Sequence, residues 1–457
     1  MLKQTLLLGG LVLIGVTALT QADSTPVSSI TLLTGQQVIV SDDNTHIITP
    51  LLAVNDTQGS WTSPTLPSIT SGKFIAGTCS GQQATSVCFA VGQDTSSGNS
   101  ETLIYMSQDG GVTWTIPDLS NVGLPSAGSL SSVACEGDGA NAHCFIAGEL
   151  DGNGAVTLTT TDGGNTWTTG DPYNSKYSTL LSATCGNQCF ATGIDYGAEI
   201  TLGFIAFANS AIALDEFSGA WFMNSDCVED SCVAVGANAK GGFITSSTNY
   251  WATSNEIYSG NFGTADDVFY GASCTKANDD NLCVTVGISQ DEMTTPVIYV
   301  NSNLTESTLH NWSAASISPS NLEGNLYSVS CTPSDTNSVC IAVGQSNVGV
   351  PFILKSLDSG NTWTQEQFIS GAAGNLMGVA CSNNADIINC TASGMEVNMS
   401  AMHLVPVAYT NPDVLGADIW VSPTNLTLPA SGCLLDAGSN GKSNGAYLED
   451  MSCAMSN

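Results

Sequence analysis

Residues 326–363 read LYSVSCTPSDTNSVCIAVGQSNVGVPFILKSLDSGNTW, and this stretch decides the fold. A β-branched run ends on Cys331, a polar loop follows, and a second run, CIAVG, starts on Cys340. A third run, PFILK, leads into a turn rich in Asp, Ser and Gly, from which Thr362-Trp363 returns. Short apolar runs of small and β-branched residues between polar turns read as antiparallel strands. Two cysteines flanking the first loop read as a clip across the first hairpin. The unit is a small sheet with its own disulfide.

The unit recurs. Its pairs are Cys79 with Cys88, Cys135 with Cys144, Cys185 with Cys189, Cys227 with Cys232, Cys274 with Cys283, Cys331 with Cys340 and Cys381 with Cys390. A glycine stands four positions after each second cysteine: Gly92, Gly148, Gly193, Gly236, Gly287, Gly344 and Gly394. It reads as a strand end tolerant of positive φ. First cysteines lie 56, 50, 42, 47, 57 and 50 residues apart, a period that marks a repeat array. Zinc would need two pairs converging on one ion, whereas each pair here sits in its own repeat, and the chain has only four histidines. The sixteen cysteines, with Cys433 and Cys453 as the last pair, therefore read as structural disulfides.

A ring of such sheets is an all-β fold, a β-propeller with four-stranded antiparallel blades. Residues 67–426 hold seven complete repeats. Residues 28–66 carry the later strands of a unit, ending at Trp61, and residues 427–457 carry the last two cysteines. Joined, the two ends form one composite sheet that closes the ring. Eight blades is the favoured count and seven the alternative. Residues 1–22 read as a signal peptide: Lys3, an apolar run from Leu6 to Leu19, and a small-residue exit at Thr20-Gln21-Ala22. The run is short for a membrane span. Residues 23–457 are then a single exported domain with no membrane insertion after cleavage, secreted, periplasmic or at a cell surface.

Three repeats carry a second signature: SQDGGVTW (Ser107, Asp109, Gly111, Trp114), TTDGGNTW (Thr160, Asp162, Gly164, Trp167) and SLDSGNTW (Ser356, Asp358, Gly360, Trp363). The aspartates accept turn amides, the glycines take angles other residues resist, and the tryptophans cover the neighbouring sheet. The motif resembles the Asp box, or BNR repeat, of sialidase-like propellers. It decays elsewhere, to STNYW at Trp251, STLHNW at Trp312, VLGADIW at Trp420 and NDTQGSW at Trp61, with Phe217 standing in before Cys227. The resemblance implies a structural turn away from any catalytic face.

Composition excludes several activities. Net charge is −33, with seven lysines and no arginine, which disfavours nucleic acid and anionic lipid as partners. Sialidases hold a carboxylate with three arginines, a bidentate recognition that lysine does not copy, so sialidase activity is disfavoured. No GxSxG elbow occurs, and His46, His143, His310 and His403 share no motif. Gly441-Lys442-Ser443 lacks the earlier glycine of a P-loop. Acidic pairs such as Asp215 and Glu216, Glu229 and Asp230, Asp266 and Asp267, or Asp291 and Glu292 are too abundant to single one out. Asp151–Gly154 and Asn278–Asn281 have calcium-loop flavour without the full ligand series, so no cofactor is expected beyond weak Ca2+ binding.

The leading expectation is a non-catalytic exported module that binds a glycan or protein through its loop faces. A glycoside hydrolase of non-sialidase type is an alternative, which needs a carboxylate pair. An architectural role is the other, as in the photosystem-assembly propellers with similar repeats. A rim bearing tyrosines or tryptophans beside carboxylates points to sugar; a Ser/Thr/Gly rim points to protein contact.

Overall fold

The structure is a computed structural model. It describes residues 72–421, with short interruptions in loops, and the backbone of strands at 38–41, 47–51, 60–62 and 434–437. The signal segment, Phe217, Gly111, Cys433 and Cys453 lie outside the described residues.

The protein is a β-propeller. Eight antiparallel sheets follow one another along the described chain, and the first strands of consecutive sheets lie side by side. Seven sheets begin on the strands Gly72–Ser80, Gly128–Glu136, Ser178–Cys185, Trp221–Val228, Val268–Ala277, Gly324–Pro333 and Gly374–Asn384. The eighth joins the two chain ends: Val38–Ser41 pairs antiparallel with Leu434–Ala437. The strand Leu434–Ala437 lies beside both Gly374–Asn384 and Gly72–Ser80. Four strands per sheet is not uniform. The sheets starting at Gly72 and Gly374 have three strands, extended by single bridges at Thr115 and Val421. The sheet starting at Gly324 gains a fifth strand, because Ser316–Ser318 from the preceding connection pairs parallel with Thr362–Gln365.

Seven disulfides clip the first hairpins. Cys79 bonds Cys88, Cys135 bonds Cys144, Cys185 bonds Cys189 and Cys227 bonds Cys232. Cys274 bonds Cys283, Cys331 bonds Cys340 and Cys381 bonds Cys390. Each joins directly opposed residues, with Cα atoms 4.0–4.1 Å apart. Each clip stabilises its sheet by about 2–3 kcal/mol in the chain-entropy account. Such bonds persist in oxidising compartments. Among the described residues no helix is long and apolar enough to cross a membrane.

The core is a series of apolar layers, one between each pair of consecutive sheets from the one starting at Gly72 to the one starting at Gly374. Leu326, Val329, Cys331 and Trp363 close on Val284, Val286 and Val300 of the sheet before. Leu130, Val133 and Trp167 likewise close on Phe89, Val91 and Ile104. The first cysteine and the residues two and five positions before it thus share one face. A regular strand alternates faces at every residue, so the odd step between Leu326 and Val329 needs one extra residue. Each of the seven first strands carries that bulge, at Ile75, Ser131, Leu181, Met223, Tyr270, Tyr327 and Met377.

The glycine after each cysteine pair stands opposite this bulge, which corrects its sequence reading. Gly148 and Gly344 lie inside strands and have no positive φ. A Cβ there would stand 2.3 Å from the Ser129 carbonyl oxygen and 1.8 Å from that of Asn325. Close approach of two backbones, rather than turn geometry, demands glycine.

Polar side chains stitch the first strands together. Ser132 Oγ accepts the Ala183 amide at 2.9 Å, Ser273 Oγ the Cys331 amide at 3.0 Å and Ser330 Oγ the Cys381 amide at 3.0 Å. Buried Asp226 accepts the Cys274 amide at 2.7 Å and the Cys227 amide at 2.8 Å. These bonds pair inner-edge amides that no neighbouring strand pairs.

Candidate functional site

In the three S/T-x-D-x-G-x-T-W turns the aspartate bonds its own hairpin. Asp358 accepts Ser356 Oγ at 2.8 Å, the Thr362 amide at 2.9 Å and Thr362 Oγ1 at 2.7 Å. Asp162 makes the same three contacts with Thr160 and Thr166, and Asp109 with Ser107 and Thr113. Gly164 and Gly360 have φ of 90° and 82°. Trp167 and Trp363 donate Nε1–H to the carbonyls of these glycines at 3.0 and 2.7 Å. Trp167 meets Phe89 of the preceding sheet edge-on at 5.4 Å.

The degenerate boxes keep part of this geometry. In STNYW the Ser247 and Asn249 side chains hydrogen-bond at 2.9 Å, and the Trp251 amide donates to Ser247 Oγ at 2.8 Å. Trp251 therefore occupies the place of Gly164, with φ of 57°, and not that of Trp167. Its indole still reaches the preceding sheet, 4.8 Å from Phe190. The sheet before Cys227 has no box at all: Phe207 pairs with Ser210 across a two-residue turn.

Burial pushes the Asp358 carboxyl up, but hydrogen bonds from Thr362 and Ser356 outweigh it and hold the carboxyl below its ordinary value. A lowered folded-state pKa adds stability that is present above the unfolded pKa and fades as pH falls through the folded one. Asp358→Ala should cost about 1–2 kcal/mol at neutral pH. In urea titrations the gap from wild type should narrow as pH drops below the ordinary Asp value of 3.8. A gap that widens in acid would show that Asp358 acts otherwise.

Box turns and cysteine hairpins share one face. The Gly163 amide bonds the Ala142 carbonyl at 3.0 Å, and the Ser359 amide bonds that of Ser338 at 3.1 Å. The starts of the first strands share the opposite face with the turns between second and third strands. There the amides of Gly128, Gly324 and Gly374 bond Ser100, Thr294 and Gly349 of the preceding sheets at 3.0, 2.9 and 2.7 Å.

On the inner edge of the sheets the bulges build a candidate site. A bulge re-aims its side chain, and four consecutive sheets contribute Met223, Tyr270, Tyr327 and Met377. The rings of Tyr270 and Tyr327 meet at 5.9 Å, tilted by 55°. Burial pushes the Tyr270 phenol up to about 12, with a further contribution from Tyr327. Burial also raises Tyr327, against a lowering hydrogen bond from Asn325. Both phenols are neutral at physiological pH.

Asn325 Nδ2 donates to Tyr327 Oη at 3.1 Å, while Asn325 Oδ1 is buried with no donor among the described residues. Gln345 Nε2 donates to the Gly374 carbonyl at 3.0 Å and fixes the neighbouring amide. Glu396, almost fully buried, accepts Tyr409 Oη at 2.7 Å. The sequence reading named none of these residues. The signal was present, since LSSVAC, LYSVSC and LMGVAC all break strand alternation at one position.

Among the described residues no group of three or more His, Cys, Asp or Glu is placed to hold a metal ion. Asp151–Gly154 is a hairpin turn closed by the Asn153 amide on the Leu150 carbonyl at 3.0 Å. Asp280 pairs with Ala277 across a second such turn. Of the acidic pair at 266 and 267, Asp267 is buried and accepts Thr264 Oγ1 at 2.7 Å, and residue 266 lies outside the described residues.

No protein-family model matches the chain, and no curated protein sequence matches it. Solved structures similar to it include YCF48 from Cyanidioschyzon merolae, at 13% identity and TM-score 0.42, over 71% of this chain and 94% of that one. The Niastella koreensis GH74 enzyme is similar at 11% identity and TM-score 0.38, over 89% and 69%. Trypanosoma rangeli sialidase is similar at 11% identity and TM-score 0.36, over 76% of this chain and 56% of that one.

Proposed function

We propose that the protein is an exported, non-catalytic binding propeller that holds a glycan at the inner edge of its sheets, with the chain ends closing the ring as an eighth blade. One observation carries this reading: Tyr270 and Tyr327 stand side by side next to the orphan acceptor Asn325 Oδ1. A sugar offers apolar C–H faces to aromatic rings and hydroxyl donors to an amide oxygen, so it satisfies both at once.

The chain's own charge of −33 disfavours an anionic ligand. The absence of arginine supports the non-sialidase reading.

The test is a neutral-oligosaccharide array followed by calorimetry on the best hit. Binding without released product is expected, about tenfold weaker in a Tyr270→Ala/Tyr327→Ala double variant that keeps its thermal midpoint. Turnover of the bound sugar, or full affinity in the variant, would refute the proposal.

A further inference from the structure

The outer edge of the sheet that starts at Trp221 differs from the others. Its fourth strand, Ile257–Phe262, has six residues, each paired with a residue of Gly241–Ser247 without a register shift. Among the described residues the outer strands Thr168–Gly170, Ser210–Ile212, Ser313–Ala314 and Thr362–Gln365 are all shorter. The last of these is also covered, because Ser316–Ser318 adds a parallel strand to its outer side. Ile257–Phe262 pairs with no strand on its outer side among the described residues. Its row of open amides and carbonyls lacks the guards that keep a further strand away: the sequence IYSGNF holds no proline, no charge and no bulge. Asn261 is exposed, and Tyr258, Ser259, Gly260 and Phe262 are half-buried, so water reaches this edge.

The two faces of the strand are unlike. Ser259 Oγ donates to Thr245 Oγ1 at 2.9 Å and Asn261 Nδ2 to Asn238 Oδ1 at 2.7 Å, both within their own sheet. Tyr258 and Phe262 face the next sheet. The Phe262 ring stands 5.5 Å from Tyr299 and 6.5 Å from Trp312, and the Tyr258 ring 6.1 Å from His310. Tyr258 folds over Gly260, where a Cβ would come within 2.5 Å of its Oη. The open edge therefore runs beside an aromatic shelf.

We infer that Ile257–Phe262 is a strand-addition site for an extended basic segment of a partner protein, separate from the inner-edge site. Main-chain hydrogen bonds to the free edge give affinity, and every second side chain of the added strand lies along the shelf. The sheet starting at Gly324 already carries such a further strand on its outer edge. Charge selects the occupant. With 40 acidic residues against seven lysines, the chain attracts a cationic segment and opposes a second copy of itself. Ammonium and guanidinium groups also favour the faces of aromatic rings such as Tyr258 and Phe262.

Calorimetry on the intact chain at physiological salt, with a capped decapeptide alternating lysine and valine, tests the site. Binding is expected, with hydrogen exchange slowed within residues 257–262 and unchanged around Tyr270 and Tyr327. The same peptide N-methylated at every residue keeps its charge and loses its main-chain donors, so it should bind at least about tenfold more weakly. Tyr258→Ala, which removes one ring of the shelf, should weaken the unmethylated peptide about fivefold. Equal binding of the methylated peptide, protection outside 257–262, or no binding at all overturns the inference. So does a dimer in light scattering whose 257–262 amides are protected before peptide is added, which would give the edge to a second copy.

Discussion

Alanine in place of Gly344 should lower stability by at least about 3 kcal/mol and abolish the proposed glycan binding. The added Cβ would lie 1.8 Å from the Asn325 carbonyl oxygen, 2.8 Å from its carbonyl carbon and 3.0 Å from the Leu326 Cα. All three are backbone atoms, so no side chain can swing away. Either the second strand withdraws, opening the layer around Ile341 and Val343, or the bulge at Tyr327 flattens. Flattening removes the odd step and turns Leu326 out of the layer it shares with Val329 and Cys331.

The φ of Gly344 is ordinary, so alanine's own stereochemistry is not at fault, and the loss measures the contact alone. Gly152→Ala is the control. Its φ is 76°, nothing lies within 4 Å of the added carbon, and about 1 kcal/mol is the expected loss. Urea denaturation of both variants reads the difference. A Gly344→Ala protein as stable as Gly152→Ala would remove the bulge from the explanation of the fold. Tyr327 is the bulged residue and Asn325 stands two positions before it, so the proposed binding should fail in any fraction that still folds.

The same bulge shows where sequence reading reached its limit. The cysteine register was legible because a disulfide needs two residues at a fixed reach, and seven short spacings, from Cys79 and Cys88 to Cys381 and Cys390, left little choice of partner. Asp358 and its relatives were legible because their chemistry is local, within five residues of chain. The glycine after each pair was visible as a position, but its cause is a carbonyl on another strand, which spacing along one strand does not show. Trp251 was misplaced for a related reason. Ser247 and Asn249 rebuild the turn without a glycine, and a tryptophan at φ of 57° is not what turn preferences suggest.

The candidate sites were the least legible. Tyr270 and Tyr327 are 57 residues apart and meet only because two repeats are adjacent in the ring. The repeat motif fixes the positions of such residues and leaves their identity free. A binding face on this scaffold is therefore written in the positions the motif does not constrain.

Glu366→Gln should be the most damaging single change outside the bulges, at about 3–5 kcal/mol. Lys355 Nζ and Glu366 Oε1 are 3.2 Å apart with side chains 7% and 4% exposed. Lys355 is one of only seven cationic side chains in a chain of net charge −33. A chain so poor in cations keeps one buried beside the layer where Ile353 meets Leu376 and Val379. Removing the carboxylate leaves the ammonium desolvated opposite a neutral amide, and Lys355→Met leaves the converse.

Replacing both at once, Lys355→Met with Glu366→Leu, removes both buried charges. That pair should recover most of the single-variant loss, ending within about 2 kcal/mol of wild type. Four urea curves complete the cycle. A coupling above about 2 kcal/mol is expected, because removing either charge leaves the other without its ion-pair partner. A Glu366→Gln protein within about 1 kcal/mol of wild type, by the same scale, would mean that water reaches the pair and that the layer between these two sheets is looser than its packing indicates.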